Sequence, residues 1–167
     1  VERQFELCAK YGIELTDDEK NTPKLLHAKT AAMIASDRFS LSTEICNAIY
    51  WHTTGKPAMS PFEIVIYLAD YIEEFRDDPS CIRLREFYKK ALSKELDKTV
   101  ALNKTLVKSF DTTIKHLLSE EQTICNATFE ARNYYINQLK ADMSVEGVSC
   151  SVKVLVNGLT VFFANLN

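Results

Sequence analysis

A chain of 167 residues, 46% hydrophobic and 26% charged, has the size and balance of one globular domain and can bury a core without staples. Its net charge of −3 excludes the strongly basic balance of a dedicated nucleic-acid binder and leaves room only for a local cationic patch. The sequence shows no signal peptide and no apolar run long enough for a bilayer, and its five cysteines are odd in number with no CxxC pair, so reduced thiols in a cytoplasmic protein are expected rather than a disulfide framework or a membrane anchor.

With only four glycines and four prolines, most of the chain reads as helix. Residues 2–10 read as a helix closed by Tyr11-Gly12, and Thr16 to Pro23 as a polar turn. Residues 24–36 are rich in Ala and Leu and read as a buried helix. Ser42 or Thr43 caps the next one, which ends near His52, with Gly55 and Pro57 closing the segment. Ser60-Pro61-Phe62-Glu63 is a capping box with proline at the first helical position. The helix after it is expected to reach Phe75, with Val65, Leu68, Ala69 and Ile72 on one face and apolar residues on other sides too, as in a central helix. Arg76 to Pro79 breaks it. Helices over 81–92 and 94–118 follow, the second with a stripe of Leu106, Phe110, Ile114 and Leu117, and Asn126 caps a last helix over 127–140. From Val148 the pattern alternates, and Asn157-Gly158 between two alternating runs signals a β-hairpin over 148–165. An isolated hairpin is marginal in water, so it is expected to pack on the helices or on a partner. The domain reading is a helical unit over 1–140 and a C-terminal extension over 141–167.

Few residues here carry chemistry on their own account. Asp70 lies within the most apolar helix, where a carboxylate is costly unless it is paired or bound to a metal. Pairing with a Lys or Arg at the helix edge and metal ligation are both open. His27 and His52 sit on separate helices. If they converge with Asp70, two imidazoles and a carboxylate suit iron, manganese or zinc; otherwise they are ordinary core residues. Arg76 suits bidentate contact with phosphate or a pair with a neighbouring Asp. Thr53, Thr54 and Gly55 offer hydroxyls and a close backbone to a phosphate, though a helix C-cap explains Gly55 equally well. Lys24 and Lys29 read as solvated charge, and His116 as surface.

Lys24-Leu25-Leu26-His27, then Tyr50-Trp51-His52-Thr53-Thr54-Gly55, then Tyr67-Leu68-Ala69-Asp70-Tyr71-Ile72-Glu73, Arg76-Asp77 and Glu130-Ala131-Arg132-Asn133 stand in this order. Together they resemble the YqeK family of HD-domain phosphohydrolases, from about Tyr11 to Leu139. The resemblance implies a mostly α, HD-domain-like helical bundle with a two-metal site, usually of iron. It also implies symmetrical hydrolysis of diadenosine tetraphosphate to two ADP in bacterial cytoplasm. By matching motif, His27 and His52 would be ligands of one metal and Asp70 a ligand of the other, with Asp70 the catalytic carboxylate. Thr53, Thr54, Gly55 and Arg76 would lie at the substrate.

The family's first metal-binding His and its His-Asp pair lie upstream of the matching segment. In this chain no His precedes His27 and no His-Asp dipeptide occurs. An N-terminally truncated HD fold with at most a partial two-metal site is therefore expected, together with exposed apolar surface that a homodimer or the hairpin would cover. The alternative to a hydrolase of dinucleoside polyphosphates is a non-catalytic helical remnant that binds a nucleotide, a single metal or a protein partner.

Overall fold

The computed structural model describes the backbone of residues 1–95, 97–148, 152–156 and 159–163, and side chains through residue 142. Among the described residues eight α-helices carry the fold: α1 (Glu2–Lys10), α2 (Asp17–Asn21), α3 (Leu26–Phe39), α4 (Thr43–Trp51), α5 (Pro61–Ile72), α6 (Pro79–Lys94), α7 (Lys98–Ser119) and α8 (Asn126–Val148). A single 3-10 turn, Pro23–Leu25, leads into α3. Short connections lay most helices against their sequence neighbours, while α1 on α3 and α5 on α7 are the packings that close the bundle.

Local chemistry explains most boundaries. Ser60 accepts from the Glu63 N–H at 3.2 Å and the Glu63 carboxylate accepts from the Ser60 N–H at 2.6 Å, so the expected capping box starts α5. Ser42 caps α4 and Asp78 caps α6, with Pro79 at the first helical position. The Thr16–Pro23 stretch is not simply a turn. Thr16 and Glu19 form a second capping box and start the one-turn helix α2. The Thr-x-x-Glu spacing was visible, but a run of five polar residues has no apolar period to extend it.

The centre of the core is an aromatic stack. Phe110 lies 5.1 Å from Tyr67 and 6.3 Å from Tyr135, ring centre to ring centre. Met59, Ile64, Leu68, Leu106, Val107 and Ala131 surround it. Each large side chain fully withdrawn from water contributes about 1.5–3 kcal/mol. The Tyr135 hydroxyl accepts from the Met59 N–H at 2.9 Å, which pins the loop before α5 to α8.

Two expectations change. The face of α5 turned inward holds Glu63, Ile64, Tyr67 and Leu68, while Val65 is 55% exposed. Val65, Leu68, Ala69 and Ile72 do share a face, as expected, but it lines a shallow apolar groove with Tyr88 and Leu102, and of the four only Leu68 is buried. A helix apolar on every side offers no period that could choose between these faces. The helix also ends at Ile72 rather than Phe75, because Arg85 of α6 reaches back to the carbonyls of Ile72, Glu73 and Arg76 and holds the chain in a turn there.

The helix expected over 127–140 runs on to Val148, across the expected domain boundary and into the start of the expected hairpin. Beyond it the backbone of β1 (Val152–Val156) pairs antiparallel with that of β2 (Leu159–Phe163), Val154 opposite Val161. Asn157 and Gly158, on which the expected turn falls, lie outside the described residues. The fold class rests on the helices alone: it is mostly α.

Candidate metal centre

His27 and His52 meet. Their Nε2 atoms are 3.1 Å apart, although the residues are 25 positions apart on different helices. His27 stands in the first turn of α3, where the 3-10 turn sets the Lys24 carbonyl 2.5 Å from its Nδ1. His52 is the C-cap of α4, with its Nδ1 2.6 Å from the Ile49 carbonyl. α3 packs on α4 along its length, and this packing carries one imidazole to the other.

The hydrogen-bond pattern fixes the protons. A carbonyl oxygen only accepts, so each Nδ1 carries the hydrogen in the neutral ring and each Nε2 presents a lone pair. Two acceptors therefore face each other. The Thr53 hydroxyl is 3.4 Å from one and 3.3 Å from the other, and its single proton can serve only one of them. A cation shared by both nitrogens resolves the conflict. Imidazole nitrogens bound about 2.0–2.1 Å from one transition metal, at angles near 90–110°, stand about 2.8–3.4 Å apart. The donor set and its spacing fit one such ion, held with the ring orientation fixed by backbone carbonyls in the manner of metal-ligating histidines.

The structure does not bring Asp70 to this point. Its carboxylate is half exposed and accepts from Arg76 at 2.7 Å. Among the described residues no group of three or more His, Cys, Asp and Glu could hold a metal. The expected convergence of His27, His52 and Asp70 is thus reduced to the imidazole pair, because Asp70 faces the α5–α6 turn and is neutralised there. Of the three residues expected at the substrate after His52, only Thr53 reaches the imidazoles. The Thr54 hydroxyl donates to the Gly55 carbonyl, and the Thr54 carbonyl accepts from Thr128 of α8. Gly55 is a buried turn residue beyond α4 with φ +66°, its N–H donating to the Trp51 carbonyl at 2.9 Å.

Of two supporting residues, one was read differently in the sequence and the other, Arg85, was not singled out. Lys29, expected as solvated charge, pairs with Glu19 at 2.6 Å, both largely buried, and lies over the Tyr50 ring. It thereby ties α2 and α4 to the helix that bears His27. Arg85 holds the turn that bears Arg76. Neither role has a local signal, since both partners are remote in sequence.

The HD domain model matches residues 8–74, which run from α1 to just past α5 and hold His27, His52 and Asp70. The fold is thus that of an HD-domain protein. The symmetrical bis(5'-nucleosyl)-tetraphosphatase of Bacillus subtilis is 32% identical over 118 residues, 70% of this chain and 58% of that protein. The protein of the same name from Staphylococcus aureus is 29% identical over 140 residues, 81% of this chain and 62% of its own length. A crystal structure of a predicted HD superfamily hydrolase involved in NAD metabolism from Clostridium acetobutylicum superposes with a TM-score of 0.71 at 37% identity, covering 82% of this chain and 68% of that one. The chain therefore belongs to the YqeK-type family of HD-domain hydrolases. It spans about three fifths of the length of the curated relatives it matches.

Proposed function

We propose that this chain serves a metal-dependent phosphohydrolase of HD type that cleaves diadenosine tetraphosphate symmetrically to two ADP. The observation that carries the reading is the facing pair of Nε2 atoms at 3.1 Å, each ring with its Nδ1 turned to a backbone carbonyl, an arrangement that one shared metal ion would satisfy. Two named relatives give the substrate class. Imidazole ligands suit iron and zinc alike, and iron is the choice the family resemblance favours.

In this reading His27 and His52 hold the metal, which when bound supplies Lewis acidity at a phosphoryl oxygen. The Lys24 and Ile49 carbonyls keep both rings in the ligating tautomer. The Thr53 hydroxyl, beside both nitrogens, orients a ligand or water there. Arg76 offers a planar fork to the phosphate chain. Asp70 acts as the catalytic carboxylate once substrate draws Arg76 away from it. The helices through α8 form the HD-type unit, which therefore extends past residue 140 to Val148, and the paired strands beyond it belong to a C-terminal extension. Among the described residues no helix is long and apolar enough to cross a membrane. We place the protein in the cytoplasm, with a homodimer covering the exposed apolar groove of α5.

The test is metal content of the purified chain by mass spectrometry together with nucleotide products on diadenosine tetraphosphate. Bound iron, manganese or zinc and release of ADP alone support the proposal. Release of ATP and AMP, or no turnover with metal supplied, overturns it. A second reading is favoured by the lack of a third ligand among the described residues: a helical protein that binds one metal without catalysis. Stoichiometric metal with no turnover is the result that reading expects.

A further inference from the structure

A cavity of about 690 Å³ opens beside the α5–α6 turn, between the first turns of α6 and the C-terminal half of α7. The two helices are packed on each other, and facing surfaces of packed helices are ordinarily apolar. Here they are not. From α6 the cavity receives Ser80 and Arg83, and from α7 it receives Lys108, Thr112 and Lys115, at helical spacings that put each set on one face. Three cations thus border one space in a chain whose net charge is −3, so composition does not account for them. None of the three forms an ion pair among the described residues. The cavity's carboxylate, Asp78, is engaged in capping α6 through the Ser80 N–H. At the cavity wall Ser109 is buried, with its hydroxyl beside that of Tyr67.

Like charges brought around a concave space repel, and the repulsion is relieved when an anion shares them. Arginine and lysine with serine and threonine hydroxyls form the donor set that recognises phosphate. A single phosphate would leave most of 690 Å³ to water, while a diphosphate spans cations set on two helices. We propose that this cavity binds a diphosphate group, through Arg83, Lys108 and Lys115, at a site that does not use the imidazole pair. The inference stands whether or not the chain is a hydrolase, since it uses neither His27 nor His52. The diphosphate belongs either to inorganic pyrophosphate or to a nucleoside diphosphate, whose ring has the Tyr71 side of the cavity available.

The experiment is isothermal titration of the chain with inorganic pyrophosphate and with ADP, in EDTA so that no metal at the imidazoles contributes. Binding of at least one probe is expected. It should fall at least tenfold in Arg83→Glu and in Lys108→Glu, both exposed positions, and stay within twofold in His27→Ala. Binding of pyrophosphate alone identifies the inorganic anion; binding of ADP as well identifies the nucleotide. Amide chemical shifts of the unmodified chain should move on α6 and α7, which locates the site even if a variant misfolds. No binding of either probe overturns the proposal. So does binding that ignores both charge reversals, that vanishes in His27→Ala, or that moves amides around His27 and His52 instead.

Discussion

A Cβ placed on Gly55 would stand 2.8 Å from two ring carbons of Phe110, closer than packed atoms allow. The backbone there is also left-handed, at φ +66°, a conformation that costs a non-glycine residue about 1 kcal/mol or more. Phe110 is fully buried between two tyrosines and cannot retreat. Gly55→Ala should therefore destabilise the chain by about 2–4 kcal/mol, the sum of backbone strain and overpacking. Urea unfolding measures it. A loss below 1 kcal/mol would mean that the turn after His52 is not clamped on α7.

The imidazole pair makes a separable prediction. His27 is exposed and His52 half-buried, so neither is part of the core. His27→Ala and His52→Ala should leave unfolding midpoints within about 1 kcal/mol of the parent, as surface changes do. Each should lower metal affinity by a hundredfold or more, beyond the 10–100-fold typical of losing a supporting group. Competition against a chelator of known affinity reads the effect. Equal metal retention in both variants would show that the ion sits elsewhere.

Arg76 allows stability and chemistry to be told apart. Its pair with Asp70 is about half exposed on both sides. Such pairs are worth about 0–1 kcal/mol. Arg76→Gln should be nearly silent in thermal unfolding. In the hydrolase reading it should lower kcat/KM for diadenosine tetraphosphate by tenfold or more, through loss of a bidentate phosphate contact. Unchanged turnover would make Arg76 only the partner of Asp70.

Asp18 predicts an acid-sensitive joint between α2 and α8. The Thr16 hydroxyl and then the Asn126 N–H donate to its carboxylate and hold it down from 3.8 to about 2. A carboxyl lowered in the folded state adds stability that is fully present above its unfolded value and is lost as pH falls through the folded one. Stability should thus decline between about pH 4 and pH 2 partly through this group. Asp18→Asn should be less stable at neutral pH and should show a flatter decline over that window. Denaturant midpoints at several pH values provide the comparison. Identical pH profiles for the two proteins would remove Asp18 from the account.

Much of the local structure was legible because its causes are local. Ser60-Pro61-Phe62-Glu63 announces its own helix start, since donor, acceptor and proline lie within four residues. Residues 2–10 and the stripe of Leu106 and Phe110 are likewise set by short-range pattern. The inward face of α5 was not legible, because its apolar residues surround the helix and only the neighbours α4, α6 and α7 choose a side. Lys29 looked solvated because its partner Glu19 belongs to a helix that only a capping box, not an apolar period, creates.

The candidate site divides in the same way. The sequence by itself determined the family motifs and the residue types able to hold a metal. Only the tertiary structure decided that His27 and His52 meet at 3.1 Å and that Asp70 turns to Arg76 instead. The packing of α3 on α4 brings the imidazoles together, and the turn held by Arg85 keeps the carboxylate beside its guanidinium partner. Those distances depend on helix-to-helix contacts between residues far apart in the chain, which no local pattern encodes.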